Sequence, residues 1–408
     1  MEKKFDVVII GGGASGMMSS IFAAKNGFKT VVLDHNEKLG KKLYITGKGK
    51  CNLTNNSSIE NHMENTITNS KFMFSALNAF SPQDTMVFFE EQGLKLRTER
   101  GNRVFPDSDK SSDVIKTLEK AMRKSGVTVD LNTEILKVEK QNDRFYILCN
   151  NDKLYTTNSL IVATGGVSYV GTGASGLGYE IAKHFGHNIV DTKSALCPIV
   201  VKEDVSGLNG LKLKNVTLTF EEGKKTIGEL GEMLFTYTSL TGPIALTLAS
   251  KINKFDLKNK VVSIDLKPGL TYEKLDDKLQ KEFVEYAKKD LKNYLTTLLP
   301  IRFAEYFLLR TKIENKKLSD IKKKERELIV SMLKKFDFSI KSLDNIGVSI
   351  VTSGGVDTKQ INSKTCESKL VDNLYFVGEV LDVDALTGGY NLQIAWSTGY
   401  LAGNSLKG

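Results

Sequence analysis

The stretch FDVVIIGGGASG, residues 5–16, decides how the chain begins to fold. Its first half, Phe5 to Ile10, is a short and mostly β-branched apolar run, which is typical of a strand buried on both faces. Gly11 to Gly16 follow at once with the spacing G-x-G-x-x-G, and a helical pattern runs from Ala14 to about Asn26. A second strand is predicted at Lys29 to Leu33. The order strand, glycine turn, helix, strand predicts a nucleotide-binding βαβ unit in an α/β fold.

Each glycine of this turn has a physical role in holding a pyrophosphate. Gly11 permits the tight turn, Gly13 lets the backbone approach the phosphates, and Gly16 lets the helix pack closely on the strand. Asp34 lies 23 residues after Gly11, where a carboxylate accepts hydrogen bonds from the adenosine ribose. The predicted contacts with phosphate and ribose are Gly11, Gly13, Ala14, Ser15, Gly16, Asp34 and His35. The motif does not separate FAD from NAD, and a glycine-rich turn without a ligand is the alternative.

Residues 41–55, KKLYITGKGKCNLTN, are small, polar and basic without periodicity, which predicts an irregular loop. Its lysines and glycines suit a second wrap around a diphosphate and the edge of an isoalloxazine, and a basic surface loop is the alternative. The predicted cofactor contacts here are Lys42, Gly47, Gly49, Lys50, Cys51 and Asn52. For Cys51 we favour a small buried residue over a redox thiol, because no partner cysteine is evident.

Two later segments favour FAD over NAD. The predicted strand Ser159 to Ala163 runs into Thr164-Gly165-Gly166, which resembles the second FAD fingerprint of glutathione-reductase-like flavoproteins. The predicted strand Leu374 to Val377 runs into Gly378-Glu379, which resembles the third fingerprint, where the acid meets the ribityl chain. The predicted contacts in these segments are Ala163, Thr164, Gly165, Gly166, Gly378 and Glu379.

The sequence after Glu379 extends this predicted flavin site toward the C-terminus. A helix is expected to run to about Ala402, and its N-terminus would direct its dipole at the N1/O2 edge of the flavin. The predicted contacts are Asp384, Gly389, Tyr390, Asn391, Leu392 and Gln393. We therefore expect one discontinuous FAD domain, built from residues 1–190 and 346–408.

A second glycine turn, GTGASG at Gly171 to Gly176, repeats the G-x-G-x-x-G spacing. A helix is predicted at Leu177 to Phe185, and Asp191 lies 20 residues after Gly171, so a separate NAD(P) site is one interpretation. The preceding predicted strand ends at Ala163, however, which breaks the tight strand–turn–helix unit. We favour a loop of the FAD domain, as in fumarate-reductase-like flavoproteins. NAD(P)H would then dock transiently on the open flavin face.

Together these motifs resemble those of the bacterial BaiN-like flavoproteins, also known as the aminoacetone-oxidase-family FAD-binding enzymes. The resemblance covers most of the chain. It rests on GGGASG (11–16), KLYITGKGKCNLTN (42–55), ATGGVSY (163–169), LTGPIAL (240–246), TSGGV (352–356) and GEVLDVDALTGGYNLQIAWSTGYLAG (378–403). One departure is Asp34, where the family usually has Glu, but the shorter acid can make the same contact.

The resemblance implies a glutathione-reductase-like Rossmann FAD domain with an inserted β-rich domain and a small helical domain. Short alternating strand patterns between residues 191 and 270 and the helical spacing of the Lys- and Leu-rich residues 272–341 agree with this. The expected divisions are the FAD domain at 1–190 and 346–408, a β-rich substrate domain at 191–271 and 342–345, and a helical subdomain at 272–341. The insertion is expected to lie over the flavin and to form a substrate pocket at the domain interface.

The composition fits a globular enzyme. Of the 408 residues, 40% are hydrophobic and 26% charged, which excludes the disordered and membrane classes. The apolar residues near the N-terminus are interrupted by Asp6 and end after four residues at glycines, so a buried strand explains them better than a signal peptide. The four cysteines form no C-x-x-C pair, which predicts neither a redox disulfide nor a metal site. We expect a cytoplasmic protein with a small-molecule substrate and no membrane partner.

The net charge of +9 leaves room for an anionic partner. The positive residues are spread along the chain, and for the local run Lys322 to Arg326 a solvated helix face is favoured. No aromatic residue is interleaved with a basic cluster, so nucleic acid is not the expected partner. A flavin-bearing nucleic-acid-binding protein, such as a tRNA-modification partner, stays as a third hypothesis.

Flavin carries the redox chemistry itself, so the protein has to orient the substrate and tune the ring. No Ser-His-Asp order and no H-E-x-x-H motif is visible in the sequence. Tyr390, beside the predicted flavin-edge helix, is the first candidate for a catalytic proton donor, and Arg103 is the second. Packing or cofactor support is the alternative for both. The sequence has no motif for covalent flavin attachment, which predicts noncovalent FAD.

The resemblance leaves two enzyme hypotheses. One is a reductase of a conjugated carbon–carbon double bond in a 3-oxo, bile-acid- or steroid-like substrate, in which hydride goes to the β-carbon and an acid protonates the α-carbon. The other is an amine oxidase of the aminoacetone type, which passes electrons to O₂ and releases H₂O₂. We favour the reductase, with NAD(P)H as the expected electron donor. The oligomeric state is left open.

Overall fold

The computed structural model describes residues 2–407 and divides the chain into two compact units. The terminal unit comprises the residues up to Ala195 together with those from Ile346 onward. The inserted unit comprises Leu196–Asn345. The first boundary therefore falls after residue 195 and not at the predicted residue 190.

The helices of the described chain are α1 Ala14–Lys25, α2 Lys41–Ile45, α3 Ile59–Asn65, α4 Phe74–Ala79, α5 Pro82–Glu91, α6 Ser111–Lys124, α7 Leu177–His184, α8 Pro243–Ile252, α9 Tyr272–Glu285, α10 Leu291–Leu298, α11 Ile301–Thr311, α12 Lys323–Lys334 and α13 Tyr390–Asn404. The strands are β1 Glu2–Ile10, β2 Thr30–Leu33, β3 Thr54–Asn55, β4 Leu96–Glu99, β5 Arg103–Pro106, β6 Thr128–Asp130, β7 Ile135–Gln141, β8 Arg144–Cys149, β9 Leu154–Val162, β10 Ile189–Ala195, β11 Ile199–Val201, β12 Lys212–Glu222, β13 Lys225–Phe235, β14 Ser239–Thr241, β15 Val261–Asp265, β16 Phe336–Leu343, β17 Val351–Val356 and β18 Leu374–Phe376.

The main sheet of the terminal unit has β1 at its centre. β1 pairs in parallel with β2 and β9, β2 continues to β6, and the end of β9 pairs in parallel with β18. Ile10 lies opposite Leu33 and Val162, so three strands end at the same level. Since ligands of open α/β sheets bind beyond the carboxyl ends of the strands, this edge is where a nucleotide site is expected. The predicted α/β class with a Rossmann-type nucleotide-binding unit is confirmed.

Helices from the two ends of the chain pack directly on each other. A Cβ atom built at Gly399 of α13 would lie 2.6 Å from the Ser15 carbonyl oxygen of α1, and one at Gly403 would lie 2.7 Å from the Ser19 oxygen. Only glycine permits so close an approach of the two backbones. The C-terminal helix therefore rests on the helix that follows the first glycine turn.

Two predicted segments of the terminal unit differ from the structure. Residues 41–55 are not irregular throughout, because the short helix α2 and a 3-10 turn at Thr46–Gly49 occupy their first part. A helix of five residues is too short to show periodicity, and its N-cap residue, Gly40, has a left-handed conformation. The predicted domain end at residue 190 lies inside β10, which continues to Ala195 because it pairs antiparallel with β17.

The inserted unit is built on a closed barrel of six antiparallel strands in the order β11-β14-β13-β12-β15-β16. Along β12 the alternate residues Val216, Leu218 and Phe220 are buried, as expected for strands with one face in a core. Helices α8 to α12 share this core, in which the ring of Phe303 in α11 packs against Phe235 and Phe336 of the barrel.

The helical segment of the inserted unit is shorter than the sequence predicts. Residues 336–341, assigned by their spacing to the helical subdomain, form the barrel strand β16 instead. Phe336, Phe338 and Ile340 are buried and the residues between them are not, so the true period is two and not 3.6. Within residues 2–407, no helix is long and apolar enough to cross a membrane.

Candidate functional site

Of the four glycines in the first turn, Gly13 faces open space, whereas an added Cβ atom would meet close neighbours at the other three. Gly11 has φ +109°, and a Cβ atom there would clash with the Ala163 carbonyl. A Cβ atom at Gly16 would clash with the Gly11 carbonyl. At Gly13, in contrast, a Cβ atom would meet no atom within 4 Å. The open side of Gly13 is thus the surface that a pyrophosphate can approach.

The start of α1 has the features of an anion-binding helix terminus. Gly13 is the N-cap residue and gives no side-chain cap, and the first turn contains no acidic residue. Met17 donates its N–H to the Gly13 carbonyl, so the N–H groups of the preceding turn are not used by the helix ladder. These donors and the helix dipole favour phosphate at this position.

Asp34 lies beside the glycine turn, where the sequence predicts it. Its Oδ2 accepts the Gly12 N–H at 2.6 Å, and its Oδ1 accepts the backbone N–H and the side-chain amide of Asn36 at 2.8 and 2.9 Å. A carboxylate has about four acceptor positions, so one remains for a ribose hydroxyl. His35 is exposed, with Nδ1 3.7 Å from Asp34 Oδ1.

The second glycine turn is built differently. A 3-10 turn at Val170–Thr172 precedes its later glycines, and the last strand before it, β9, ends at Val162. The side-chain amide of Asn36 donates to the Thr172 carbonyl at 3.4 Å, and Gly173 lies against His35. The turn therefore belongs to the surroundings of Asp34 and does not form a strand–turn–helix unit of its own.

Lys42 and Glu379, both predicted as cofactor contacts, form an ion pair with each other. Lys42 Nζ lies 2.6 Å from Glu379 Oε2 and donates to Ser168 Oγ at 2.7 Å. Glu379 Oε1 accepts from Ser168 Oγ and from the Thr352 N–H, both at 2.9 Å. Burial by itself would raise the pKa of the Glu379 carboxyl, but the Lys42 charge and these hydrogen bonds outweigh it and lower the pKa. The carboxylate is thus held charged in one place.

The third fingerprint lies against the first glycine turn. A Cβ atom at Gly378, which has φ +74°, would lie 2.5 Å from Ser15 Oγ. The Gly378 N–H donates to Thr398 Oγ1 of α13 at 3.0 Å. Residues separated by more than 360 positions are therefore neighbours, as expected for one domain built from both ends of the chain.

The loop before α13 is fixed by the side chains of the helix itself. Asn391 accepts the Ala385 N–H at 2.9 Å and donates to the Ala385 carbonyl at 2.7 Å. Gln393 is fully buried and accepts from the hydroxyls of Thr54 and Thr85. Its side-chain nitrogen donates to the Phe80 carbonyl and to Ser397 Oγ. Gln393 thus makes four side-chain hydrogen bonds, all of them inside the protein. Asn391 and Gln393 therefore hold the backbone of the site, and Leu392 between them is partly buried.

The remaining predicted contacts lie in the same unit with different exposures. Gly47 and Gly49 have φ +58° and +86°, and the exposed Lys50 pairs with Asp109 at 3.0 Å. Cys51 is fully buried, and burial raises the pKa of its thiol to about 12. A thiol with so high a pKa is not a reactive thiolate, which supports the structural interpretation.

Buried polar atoms without partners and open backbone at the site fit a bound FAD. Thr164 Oγ1 and Asn52 Oδ1 are buried and have no hydrogen-bond partner among residues 2–407. Gly165, with φ +74°, would present an added Cβ atom to open space. Buried polar atoms without partners are expected to hydrogen-bond to a bound polar group, and open backbone leaves room for that group. Asp384 is fully buried and accepts from Ser353 Oγ at 2.9 Å.

Of the two candidate catalytic residues, the structure buries one and exposes the other. Tyr390 opens α13, donates its hydroxyl to Asn61 Oδ1 at 3.0 Å, and packs edge-on against His62. Burial raises the pKa of the Tyr390 hydroxyl, so it stays protonated. Arg103 lies at the start of β5 with its side chain 47% exposed and donates to the Arg100 carbonyl.

Three residues of the site carry no prediction from the sequence. Ser168 and Thr352 hold Glu379, and Asn36 holds Asp34. Ser168 and Thr352 lie inside the quoted motifs ATGGVSY and TSGGV, but nothing in a motif indicates which side chain meets which. For Asn36, its position two residues after an aspartate is a signal, because such pairs form side-chain-to-backbone turns.

Comparison with known proteins gives consistent results. The family model described as HI0933-like protein Rossmann domain matches residues 5–405. The chain is 32% identical over 413 residues to the ribosomal RNA dihydrouridine synthase of Haemophilus influenzae, covering 100% of both chains. It is 28% identical to the 3-dehydro-bile acid delta(4,6)-reductase of Clostridium scindens, over 97% of this chain and 98% of that one.

A solved structure supports the fold. The 3-ketosteroid-delta4-(5alpha)-dehydrogenase of Rhodococcus jostii aligns over 98% of this chain and 96% of that chain, with a TM-score of 0.53 and 15% identity. At that identity the likeness concerns the fold alone. The resemblance drawn from the sequence motifs is confirmed by the family match and the bile-acid relative.

Proposed function

We propose, on the premise that the chain belongs to the HI0933-like Rossmann-domain family and is an FAD-dependent oxidoreductase, that it reduces uracil in ribosomal RNA to dihydrouracil. The observation that carries this proposal is the end-to-end similarity to a ribosomal RNA dihydrouridine synthase, at higher identity than to the bile-acid reductase. The net charge of +9 supports an RNA substrate, since polyphosphate attracts a basic protein.

The proposed reaction saturates a double bond that is conjugated to a carbonyl group. In uracil the C5=C6 bond is conjugated to the C4 carbonyl, which makes C6 the electrophilic carbon. A hydride is added at C6 and a proton at C5, so the base gains two electrons and one nicotinamide, NADH or NADPH, is oxidised. Bound FAD supplies the hydride-transfer chemistry between the two.

The residues of the terminal unit have defined roles in this proposal. The open side of Gly13 and the start of α1 would hold the pyrophosphate, and the free acceptor position of Asp34 would take a ribose hydroxyl. Glu379, kept ionised by Lys42, would accept from the ribityl hydroxyls. The N-terminus of α13 would face the flavin edge and stabilise negative charge there.

Tyr390 is the proposed donor of the proton to C5. Its hydroxyl is protonated at neutral pH because burial raises its pKa, and it stands in the first turn of α13. We expect Tyr390→Phe to bind FAD like the wild type and to form product at least about 100-fold more slowly, the scale of a lost general acid. Tyr400→Phe, in the same helix and stacked on Phe80, is the matched control. Unchanged turnover in Tyr390→Phe would leave the residue a packing role.

A second candidate substrate is a 3-oxo steroid or bile acid with a conjugated double bond. The similarity to the bile-acid reductase, which covers nearly the whole of both chains, favours it. The bond chemistry is the same, since hydride adds at the carbon β to the carbonyl. The two candidates therefore differ in the size and charge of the substrate and not in the reaction.

One experiment separates the candidates. The protein is reduced under anaerobic conditions with NADPH or dithionite and mixed with unmodified ribosomal RNA transcript or with a 3-oxo-4-ene steroid. In a separate arm the oxidised protein, without NADPH or dithionite, is mixed with aminoacetone in the presence of O₂. Dihydrouridine found by mass spectrometry of digested RNA is the expected result. Reoxidation by the steroid alone would favour the second candidate, and peroxide release with aminoacetone alone would overturn both.

A further inference from the structure

The helical part of the inserted unit carries most of the excess positive charge of the chain. Residues 272–335 contain 17 Lys and Arg against 11 Asp and Glu, whereas the whole chain contains 57 against 48. Six of the nine excess charges thus lie in this one segment. A concentration of one sign on a small part of the surface attracts the opposite sign over several ångströms.

The fold brings lysines from separate segments into one region of the inserted unit. Residues 287–291 run antiparallel to residues 316–319, with the Leu291 N–H donating to the Lys316 carbonyl at 2.9 Å and the Leu318 N–H to the Lys289 carbonyl at 3.0 Å. A 3-10 turn at Leu318–Asp320 then leads to the start of α12. We call the lysines brought together here the lysine face: Lys288, Lys289, Lys316, Lys317, Lys322, Lys323 and Lys324.

Four lysines of the lysine face form no ion pair with another described residue. Lys316 pairs with Glu325 at 2.7 Å and Lys317 with Asp290 at 3.1 Å. In the described chain, residues 2–407, no ion pair is formed by Lys288, Lys289, Lys322 or Lys324. Lys288, Lys322 and Lys324 are also exposed. Their charges are therefore available to an anionic partner.

An exposed aromatic ring lies within the lysine face. Tyr286 follows α9, is 45% exposed, and has Lys289 Nζ 5.8 Å from its ring centroid. Exposed aromatic rings among cations are the stacking platforms of proteins that bind single-stranded nucleic acid. The sequence shows no interleaving of aromatic and basic residues around Lys322. The pairing of residues 287–291 with 316–319 places Lys316 and Lys317 close to the segment that carries Tyr286, Lys288 and Lys289.

We propose that the lysine face and Tyr286 bind a single-stranded segment of the ribosomal RNA substrate. The lysines contact phosphates, and Tyr286 stacks on an unpaired base. This inference rests on the proposed function, because it names the surface that recognises the RNA. RNA is favoured over an anionic membrane because the exposed ring beside these lysines is aromatic, which gives an unpaired base a surface for stacking.

The test compares two FAD-loaded variants that each lose three unpaired exposed lysines. The first is Lys288→Ala, Lys322→Ala and Lys324→Ala. The matched control is Lys116→Ala, Lys120→Ala and Lys124→Ala, on one face of α6 in the terminal unit. Binding of a labelled ribosomal RNA transcript is measured by fluorescence anisotropy between about 50 and 200 mM salt, and dihydrouridine formation gives KM and kcat.

We expect the first variant to bind RNA about 10- to 100-fold more weakly and to lose about 2 to 3 from the slope of log affinity against log salt. Its KM for RNA should rise while kcat and flavin reduction by dithionite stay unchanged. Tyr286→Ala should weaken binding about tenfold with no change in the salt slope. The control variant should change affinity by less than about threefold.

The outcomes separate this inference from the proposed function. If the wild type forms dihydrouridine and both triple variants behave alike, the lysine face is not the RNA surface, and the function stands. If the wild type binds RNA through the lysine face but forms no dihydrouridine, the function fails and the surface stands. The RNA-binding role of the lysine face would be wrong if the wild type did not bind RNA at about 50 mM salt. It would also be wrong if the first variant lost as much affinity for vesicles of anionic phospholipid as it lost for RNA.

Discussion

The two glycine turns of the terminal unit share one spacing and have different structures. Gly11 to Gly16 follow β1 without a gap and open the twelve-residue helix α1, whose start is capped by no side chain. Gly171 to Gly176 are separated from β9 by eight residues and open the eight-residue helix α7 from a left-handed Gly176. The same spacing therefore gives a helix start directly after a strand in one place and a surface turn in the other.

The difference shows that context decides what a glycine motif does. The first turn is enclosed by Asp34 on one side and by Gly378 on the other, both of which contact it directly. The second turn contacts His35 and Asn36 but has no strand behind it. A phosphate site needs the strand end, the helix start and the enclosing segments together, because each supplies a different part of the cradle.

One substitution in each turn tests whether the two turns differ in FAD binding. Gly13 and Gly171 both lack a positive φ, and an added Cβ atom would meet nothing within 4 Å at either position. Both Gly13→Val and Gly171→Val should therefore fold. We expect Gly13→Val to weaken FAD binding by more than about 100-fold, since the side chain occupies the space of the pyrophosphate, and Gly171→Val to change it by less than about threefold.

FAD binding is measured by fluorescence titration of the apoprotein, and circular dichroism verifies the fold of both variants. Gly269→Val in the inserted unit, also open and without a positive φ, controls for the substitution itself. Equal loss of FAD in Gly13→Val and Gly171→Val would show that both turns hold the dinucleotide. If Gly13→Val kept the FAD affinity of the wild type, the pyrophosphate would not bind at Gly13.

Glu379 follows Gly378, the residue that contacts the first turn through Ser15. In wild type the Glu379 carboxylate, whose side chain is 21% exposed, is compensated by Lys42. Lys42→Met leaves this charge without its partner and should lower the free energy of unfolding by about 3 kcal/mol at neutral pH. Lys41→Met, one residue earlier, removes a pair with Glu37 at the surface and should cost less than about 1 kcal/mol.

The loss of unfolding free energy in Lys42→Met should become smaller as the pH falls. The folded pKa of Glu379 is lowered in wild type, so its contribution to stability is present above the unfolded pKa of about 4.3 and is lost as the pH falls through the folded pKa. Without Lys42, burial dominates and raises the folded pKa. The stability difference between wild type and Lys42→Met, measured by urea unfolding, should therefore shrink as the pH is lowered from 7 toward about 4. A constant difference would mean that Lys42 acts by packing alone.

The sequence predicts those parts of this site that are local and leaves out those made by distant pairs. The unit from Phe5 to Asp34 is contiguous, and its strand and helix periods identify it. The ion pair of Lys42 and Glu379 joins residues 337 positions apart, and no periodicity encodes such a contact. The strand at 336–341 could have been predicted from the sequence, because its apolar residues alternate. It was assigned to the helical subdomain because the residues before it have helical spacing.

The two glycine turns also differ in the acid that follows each of them. Asp34 has three internal hydrogen bonds and one acceptor position left for ribose, whereas Asp191 is exposed on β10. Asp34→Asn replaces an acceptor by a donor and should weaken FAD binding about tenfold, the scale of one hydrogen bond to a charged group. Asp191→Asn should leave FAD binding unchanged. Asp34→Glu keeps the carboxylate and has the longer side chain that is usual in the family. If Asp34 binds ribose, Asp34→Glu should bind FAD as tightly as the wild type. If Asp34 only holds Gly12 and Asn36, Asp34→Glu should bind FAD as weakly as Asp34→Asn.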